Sequence, residues 1–335
     1  MRVFKTSAAG KRNMTHQKTA IVTGITGQDG CYLARLLVNQ GYRVVGTIDP
    51  ERNSSLWGLK YVGVLPTVQL KHCDIFSFSD VQRLILETEA DEIYHLASQS
   101  SVAESFRSPV TTMHANTRPI INILESVRTV STSTRVYHAS SSEMFGKVKK
   151  LPVTEQTHFR PISPYAVSKV AAHQTVSCYR DSYGLFAVSG VLFNHESILR
   201  RETFFTRKLI REAFEIVTGR RESISFGNLD VRRDFGYAPA YVDAMWRMLQ
   251  QADPYDFLIC SGRSVALREM VEHVYSSLGI STDRIKLDPS LFRPNDIPDM
   301  FGSNEFAKQQ LDWDYNMTAF EMLDLLIAEE KQRQP

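Results

Sequence analysis

The strongest constraint on the fold is a short apolar run that ends at a glycine and is followed by two more glycines. Residues 18–24 read Lys-Thr-Ala-Ile-Val-Thr-Gly, which predicts a buried β-strand. Gly24, Gly27 and Gly30 form a GxxGxxG pattern, and a helical periodicity follows over residues 32–39. Such a turn between a strand and a helix lets the backbone approach a pyrophosphate at the helix N-terminus. The motif predicts a dinucleotide site; the alternative is a glycine-rich turn without a ligand.

Predicted strands and helices continue to alternate after this motif. We expect strands at 42–48, 68–71, 92–97, 135–139 and 187–193, and helices at 79–89, 116–130 and 164–183. This alternation indicates an α/β fold with a Rossmann-like, doubly wound parallel sheet. After residue 193 the alternation weakens. We therefore predict a flexible basic leader at 1–17, a dinucleotide-binding domain at 18–193, and a smaller domain at 194–335 that is mostly substrate-binding, with segments returning to the first domain.

Composition excludes several classes of protein. The formal net charge of the 335 residues is +2, which gives no electrostatic case for nucleic acid or membrane partners. No apolar run is long enough for a membrane helix, and the nine histidines show no metal-binding spacing. The four cysteines are widely separated without a CxxC pair, which is typical of reduced thiols in a cytoplasmic enzyme. We expect no metal site.

Asp49 bears on which dinucleotide is bound. It follows Gly30 by 19 residues and ends the second predicted strand, where a carboxylate accepts hydrogen bonds from the ribose hydroxyls and repels a 2′-phosphate. This favours NAD over NADP, although Arg52 nearby could meet a phosphate; Asp49 could also be a turn residue before Pro50. We expect these residues to contact the cofactor: Gly24, Thr26, Gly27, Gln28, Asp29, Gly30, Asp49, Asp74, Ile75, Leu96 and Ala97.

Two short motifs supply candidate catalytic groups. Tyr165 and Lys169 are four residues apart, so a helix places both on one face. A lysine ammonium there is expected to lower the tyrosine pKa and make it a base for a sugar hydroxyl, next to the nicotinamide. Ser141 can hold the same oxygen, and Glu143 supplies a second acid/base. Taken alone, a YxxxK pair occurs by chance in many helices, and a serine-rich turn before Glu is often a helix cap.

With these motifs in this order, the chain resembles the extended short-chain dehydrogenase/reductases, and within them the GDP-mannose 4,6-dehydratases. The resemblance runs from about residue 18 to the C-terminus. It is carried by the turn at Ser141 and Glu143 and by residues 22–30, 91–100, 163–169, 192–197, 206–208, 227–230 and 233–236. YxxxK and the glycines mark only the superfamily, whereas Asn194-His-Glu-Ser and Gly227-Asn-Leu-Asp are narrower pointers.

The resemblance implies a catalytic set of Ser141, Glu143, Tyr165 and Lys169. It also implies that the nucleotide sugar, in this family GDP-mannose, is held by four residues: Asn194, Lys208, Arg233 and Arg293. Cations suit a sugar diphosphate, and arginine suits phosphate in particular. Read without the resemblance, Lys208 and its basic neighbours are a solvated helix face. Relatives commonly pair through helices equivalent to 116–130 and 164–183, so a homodimer or homotetramer is implied.

Three departures from the family pattern affect these expectations. Ser141 stands where the family has threonine, which keeps the hydroxyl. Pro50-Glu51 replaces paired arginines that serve NADP and a subunit contact. Residues 198–201, Ile-Leu-Arg-Arg, replace a turn containing proline and glycine at the substrate entrance.

The reaction implied is conversion of GDP-mannose to GDP-4-keto-6-deoxymannose. Tyr165 removes the C4 hydroxyl proton while hydride passes from C4 to the nicotinamide. Glu143 takes the C5 proton and helps expel the C6 hydroxyl as water. Hydride then returns to C6, and C5 is reprotonated. Three alternatives within the family are a nucleotide-sugar 4-epimerase, a 4-ketoreductase and a decarboxylase. A non-catalytic NAD-binding scaffold is the alternative from another class, and it has no use for a proton relay.

Overall fold

A computed structural model describes residues 17–51, 54–292 and 295–333. Its strands are β1 Thr19–Thr23, β2 Arg43–Ile48, β3 Gln69–His72, β4 Glu92–His95, β5 Arg135–Ser141, β6 Ala187–Leu192, β7 Asn194–Glu196, β8 Ile224–Phe226, β9 Arg232–Arg233, β10 Phe235–Tyr237, β11 Phe257–Ile259, β12 Val265–Ala266, β13 Ile285–Leu287 and β14 Asp299–Met300.

The α-helices are α1 Gln28–Asn39, α2 Trp57–Tyr61, α3 Phe78–Thr88, α4 Val102–Arg107, α5 Pro109–Val130, α6 Pro164–Tyr183, α7 Phe205–Val217, α8 Ala238–Met248, α9 Leu267–Ser277, α10 Glu305–Leu311 and α11 Ala319–Arg333. Short 3₁₀ helices cover Ser142–Phe145, Thr282–Arg284 and Pro289–Leu291.

Seven strands form one parallel sheet in the order β11-β6-β5-β4-β1-β2-β3. The chain reverses its direction of travel across the sheet between β1 and β4, which opens a crevice at the carboxyl ends of these strands. Helices α3, α5 and α6 pack on one face, and α1 and α8 pack on the other. The predicted Rossmann-like α/β fold is confirmed.

The glycine-rich turn shapes the start of α1. Gly24 has a φ of +72°, and a side chain there would meet the backbone of Ala97. A side chain at Gly30 would collide with the Gly24 carbonyl oxygen, so the helix can approach β1 only because residue 30 has none. The helix begins at Gln28, four residues before the predicted start, because the third glycine lies inside its first turn.

Several other boundaries differ from the sequence prediction by a few residues. β4 ends at His95 instead of residue 97, and β5 continues to Ser141. α5 begins at Pro109, seven residues before the predicted start, because proline is well suited to the first helical turn. Helix α6 has the predicted bounds.

Part of the second half of the chain forms a core of its own, and part of it packs on the main sheet. A separate core contains side chains of α7, α9 and α11 together with β8, and small sheets pair β10 with β7, β8 with β13, and β9 with β12 and β14. In contrast, β11 joins the main sheet and α8 packs on α1. The division into domains at 18–193 and 194–335 stays a prediction, and the leader at 1–17 lies outside the described residues except for Gln17.

Among the helices that the structure describes, none combines the length and apolar character needed to cross a bilayer. Residues 17–51, 54–292 and 295–333 also contain no cluster of three or more His, Cys, Asp or Glu side chains arranged to hold a metal ion.

Candidate active site

The four proposed catalytic side chains come from two neighbouring elements, β5 with its following turn and the start of α6. Ser141 is the last residue of β5, and its Oγ accepts a hydrogen bond from the Glu143 backbone N–H at 3.3 Å. Glu143 lies in the 3₁₀ helix that follows. Tyr165 lies in the first turn of α6, which is capped by the Ser163 hydroxyl accepting from the Ala166 N–H at 3.1 Å.

The pKa of Tyr165 is higher than the sequence motif predicts. Burial raises the pKa of Tyr165 to about 12; a hydrogen bond with Ser141 and the positive charge of Arg200 act in the opposite direction, and the Glu143 carboxylate adds to the rise. The expected lowering of the tyrosine pKa by Lys169 is therefore wrong for the protein's own groups. The physical reason is that Tyr165 is almost fully buried, while the Lys169 ammonium lies 6.0 Å from the ring centroid.

Lys169 is itself buried at the base of the site. Its Nζ donates to the Ala139 carbonyl oxygen at 2.9 Å, which fixes the amine against β5. Burial lowers the pKa of Lys169 to about 8, so the ammonium remains the main form at neutral pH and the neutral amine is a minor one. Lys169 can therefore act as a proton carrier as well as a charge.

The side chains of Gln28 and Asp29, which were expected to contact the cofactor, are engaged by β7 and the residues after it. Gln28 Nε2 donates to the His195 carbonyl oxygen at 3.1 Å, and the Ser197 hydroxyl donates to Gln28 Oε1 at 2.8 Å. His195 Nε2 lies 3.0 Å from both Asp29 carboxylate oxygens. The backbone N–H groups of this first helical turn, together with Gly24, Thr26 and Gly27, are what remains to meet a pyrophosphate.

The remaining cofactor candidates lie at the carboxyl ends of β2, β3 and β4, where parallel strands present a common edge. Asp49 and Asp74 each accept a hydrogen bond from the backbone two residues on, at 2.9 Å. The Ile75 carbonyl accepts from Asn122 at 3.0 Å. The backbone N–H groups of Leu96 and Ala97 donate to Thr23 Oγ1 at 3.2 and 3.3 Å. These hydrogen bonds order the edge of the crevice. Contact of each of these residues with a cofactor stays a prediction.

Three of the four proposed substrate residues are described, each held by backbone carbonyls. Asn194 Nδ2 donates to the Asp234 carbonyl at 3.2 Å, and Lys208 Nζ donates to the Ser225 carbonyl at 2.6 Å. Arg233 donates to the Ile297 carbonyl at 2.6 Å and to the Asp296 carboxylate at 3.1 Å. Arg293 lies outside the described residues. These two hydrogen bonds hold Arg233, and with it β9, next to Asp296 and Ile297.

Arg200 is a functional candidate that the sequence reasoning missed. Its guanidinium stacks 4.0 Å from the Phe204 ring centroid, and its Nε lies 3.6 Å from Glu196 Oε1. The pKa values of Tyr165 and Asp29 both respond to its charge. Residues 198–201 depart from the family pattern, but nothing in the sequence indicates that the charge of Arg200 acts on Tyr165.

A family model described as GDP-mannose 4,6 dehydratase matches residues 21–326. The chain belongs to this family. It is 37% identical to a GDP-mannose 4,6-dehydratase of Yersinia enterocolitica over 354 residues, covering 94% of each protein. The match runs through both the glycine-rich turn and the second half of the chain.

Solved structures with the same fold include enzymes of different activities. A UDP-glucose 4-epimerase from Thermotoga maritima aligns with a TM-score of 0.85 at 21% identity, covering 94% of this chain and 99% of that one. A dTDP-glucose 4,6-dehydratase from Bacillus anthracis in complex with NAD aligns with a TM-score of 0.83 at 18% identity, covering 94% and 97%. At these identities the likeness defines the fold alone, because one fold can carry different activities.

Proposed function

We propose that this protein is a nucleotide-sugar 4,6-dehydratase that converts GDP-mannose to GDP-4-keto-6-deoxymannose. Membership of the GDP-mannose 4,6-dehydratase family supports the substrate and the reaction. The observation that carries the proposal is the presence of a carboxylate, Glu143, in the turn that also places Ser141 beside Tyr165. Alcohol oxidation needs one proton acceptor, whereas loss of water from the neighbouring carbons needs a second one.

A bound nicotinamide dinucleotide would take hydride from C4 and later return it to C6. Tyr165 removes the proton from the C4 hydroxyl, and the Ser141 hydroxyl holds the same sugar oxygen. Glu143 then takes the C5 proton, which the C4 ketone has made acidic, and delivers a proton to the departing C6 hydroxyl, which leaves as water. Once C6 has received hydride, C5 is reprotonated. The charge of Arg200 favours the phenolate required in the first step, and so opposes in part the burial that raises the pKa of Tyr165.

The residues present suit a dinucleotide. Because Gly24 and Gly30 carry no side chains, the turn and helix α1 approach closely, and the backbone N–H groups at the start of the helix would meet a pyrophosphate. Asp49, at the end of β2, favours NAD, because a carboxylate there repels the 2′-phosphate of NADP. Asn194, Lys208, Arg233 and Arg293 would hold the sugar nucleotide.

A direct test is incubation of the purified protein with NAD and GDP-mannose, followed by mass spectrometry and detection of the 4-keto group. The expected product has lost one water and carries a ketone. Unchanged GDP-mannose would contradict the proposed substrate, and a panel of UDP-, dTDP- and CDP-sugars would then locate the accepted nucleotide. An isomer of unchanged mass would instead identify a 4-epimerase, which shares the fold and does not need Glu143.

We also propose that the protein works as a homodimer or homotetramer in the cytoplasm. In support, the outer faces of α5 and α6 expose Ile121, Val167 and Tyr183, apolar or aromatic side chains suited to a helical interface. All four cysteines are free thiols. Light scattering at micromolar concentration would report the oligomeric state, and a substitution of Val167 by Lys is expected to shift it toward monomer.

A further inference from the structure

Asp234 is a buried residue that lies between two of the residues proposed to hold the sugar nucleotide. It follows Arg233, the last residue of β9, and it has no solvent exposure. Its backbone carbonyl oxygen accepts the hydrogen bond from Asn194 Nδ2 at 3.2 Å, and its backbone N–H donates to the Met300 carbonyl oxygen at 3.0 Å. The backbone of Asp234 therefore bonds to β7 on one side and to β14 on the other.

The carboxylate of Asp234 binds the turn that follows β11. Oδ1 accepts a hydrogen bond from the Ser261 backbone N–H at 2.8 Å, and Oδ2 accepts one from the Gly262 backbone N–H at 3.1 Å. Hydrogen bonds to a charged acceptor are stronger than those between neutral groups. Because β11 belongs to the main sheet, these two bonds connect the carboxyl edge of that sheet to β9 and β10.

The same turn leads directly into β12, which pairs with β9. Val265 of β12 lies opposite Arg233 in the antiparallel register. Gly262 and Val265 are only three positions apart in the chain. The segment formed by Arg233 and Asp234 is thus held twice by one short stretch of chain, at Arg233 by β12 and at Asp234 by the turn. A shift of the turn would therefore move the backbone of Arg233 as well.

We propose that Asp234 is a positioning residue that holds Asn194 and Arg233 in the geometry needed to bind the nucleotide sugar. The inference rests on the proposed function, in which both of those side chains contact the substrate. Asp234 is buried and acts through its neighbours without touching the substrate itself. Loss of its charge should loosen the turn at residues 261–262 and, through it, β9 and β7. Substrate binding should weaken, while the catalytic groups on β5 and α6 stay in place.

Glu92 provides a matched control, because it is a buried carboxylate at the opposite edge of the sheet. It is the first residue of β4 and is 1% exposed. Its oxygens accept hydrogen bonds from the Tyr42 hydroxyl at 3.0 Å, the Tyr94 hydroxyl at 2.7 Å and Lys18 Nζ at 3.0 Å. The crevice lies at the carboxyl ends of the strands, so Glu92 is remote from it. Removing either charge leaves buried donors poorly paired and should lower stability, but only Asp234 should affect substrate binding.

The test measures GDP affinity by calorimetry and steady-state kinetics with GDP-mannose, in full-length, NAD-loaded protein. Burial raises the pKa of Asp234 to about 7, so an assay at about pH 8.5 keeps the carboxylate charged. In Asp234→Asn we expect the Kd for GDP and the KM for GDP-mannose to rise about tenfold, with kcat changed less than about twofold. Glu92→Gln should lower the melting temperature and keep the wild-type Kd, KM and kcat. Wild-type Kd and KM in folded Asp234→Asn would overturn the inference, as would a loss confined to kcat.

If Asp234→Asn does not fold, Gly262→Ala takes its place. Gly262 has a φ of +83°, which a side chain disfavours, so the substitution strains the turn that donates to Asp234. We expect the Kd for GDP to rise about threefold, since a side chain in this left-handed conformation costs about 1–2 kcal/mol. Gly279→Ala, at a φ of +66° in open space, should leave the Kd unchanged. An unchanged Kd in folded Gly262→Ala would overturn the inference.

Crystal structures of the two carboxylate variants supply a readout that needs no ligand. Asn194 and Arg233 are expected to leave their wild-type positions in Asp234→Asn and to keep them in Glu92→Gln. Unmoved side chains in Asp234→Asn would overturn the inference. If the wild type binds no GDP while these shifts are seen, only the dehydratase proposal fails.

Discussion

The ion pair between Asp29 and His195 is predicted to stabilise the contact between helix α1 and the second half of the chain. Asp29 lies in the first turn of α1 and His195 in β7, with His195 Nε2 3.0 Å from both carboxylate oxygens. Asp29→Asn keeps the side-chain shape and removes the charge. Breaking a buried pair costs about 3–5 kcal/mol when a buried charge is left behind. Because His195 can lose its proton, we expect a smaller loss of about 1–3 kcal/mol.

The stability lost in Asp29→Asn should be largest at mildly acidic pH and smaller at high pH. Burial alone would raise the pKa of Asp29, but the His195 charge lowers it below its usual 3.8, so its contribution is lost as pH falls through the folded pKa. Burial alone would lower the pKa of His195, but Asp29 raises it above 6.5, so its contribution is full below 6.5 and is lost as pH rises through the folded pKa. The pair therefore stabilises most between those two ordinary pKa values.

The assay is urea unfolding followed by tryptophan fluorescence at about pH 5.5 and about pH 9, where the linear dependence on denaturant gives the free energy of unfolding. Asp324→Asn is the matched control, because its carboxylate lies 2.7 Å from His273 in a second His–Asp pair but is 58% exposed. Exposed pairs contribute less than about 1 kcal/mol. Equal losses at the two sites, or a loss in Asp29→Asn that grows toward pH 9, would refute the reasoning.

Three further predictions concern the chemistry and the cofactor. Glu143→Gln should lower dehydration about 10²–10⁴-fold while cofactor reduction in a single turnover persists, measured by absorbance; full turnover would contradict the role of Glu143. NAD should raise the melting temperature more than equimolar NADP, and Asp49→Ala should remove the difference; a larger NADP shift in the wild type would contradict the reading of Asp49. Gly30→Ala should abolish thermal stabilisation by NAD, because a side chain there collides with the Gly24 carbonyl. Gly63→Ala is at an open position with a φ of +78°, so it should lower the melting temperature of the free protein but leave the shift caused by NAD unchanged.

Much of the first half of the fold could be predicted from sequence, because buried parallel strands are continuous apolar runs and the glycines mark the turn into α1. The strands of the C-terminal half could not be predicted, because strands as short as Arg232–Arg233 and Val265–Ala266 are too short to show a hydrophobic periodicity. The two proposed catalytic motifs, Ser141 with Glu143 and Tyr165 with Lys169, could be recognised from their sequence spacing. The raised pKa of Tyr165 was not, because it depends on tertiary burial.

Two features could not be predicted for a related reason: the effect of Arg200 on Tyr165, and a row of buried polar side chains across the main sheet, formed by Thr23, His95, His138 and Ser189. Arg200 is six residues from Asn194, and only the fold brings its charge close enough to affect the pKa of Tyr165. His95, His138 and Ser189 belong to three separate strands, and only the register brings them side by side. Single histidines in apolar strands give no signal in sequence that distinguishes an isolated core residue from a member of a row.

Internal hydride transfer from C4 to C6 is the central claim, and isotope tracing tests it most directly. GDP-mannose carrying deuterium at C4 would be turned over with a catalytic amount of NAD, and the product examined by NMR and mass spectrometry. The account predicts a 4-keto product with one deuterium in the C6 methyl group and no net reduction of the cofactor. Deuterium that returns to C4 in a product retaining its water, or that accumulates in reduced cofactor, would contradict it.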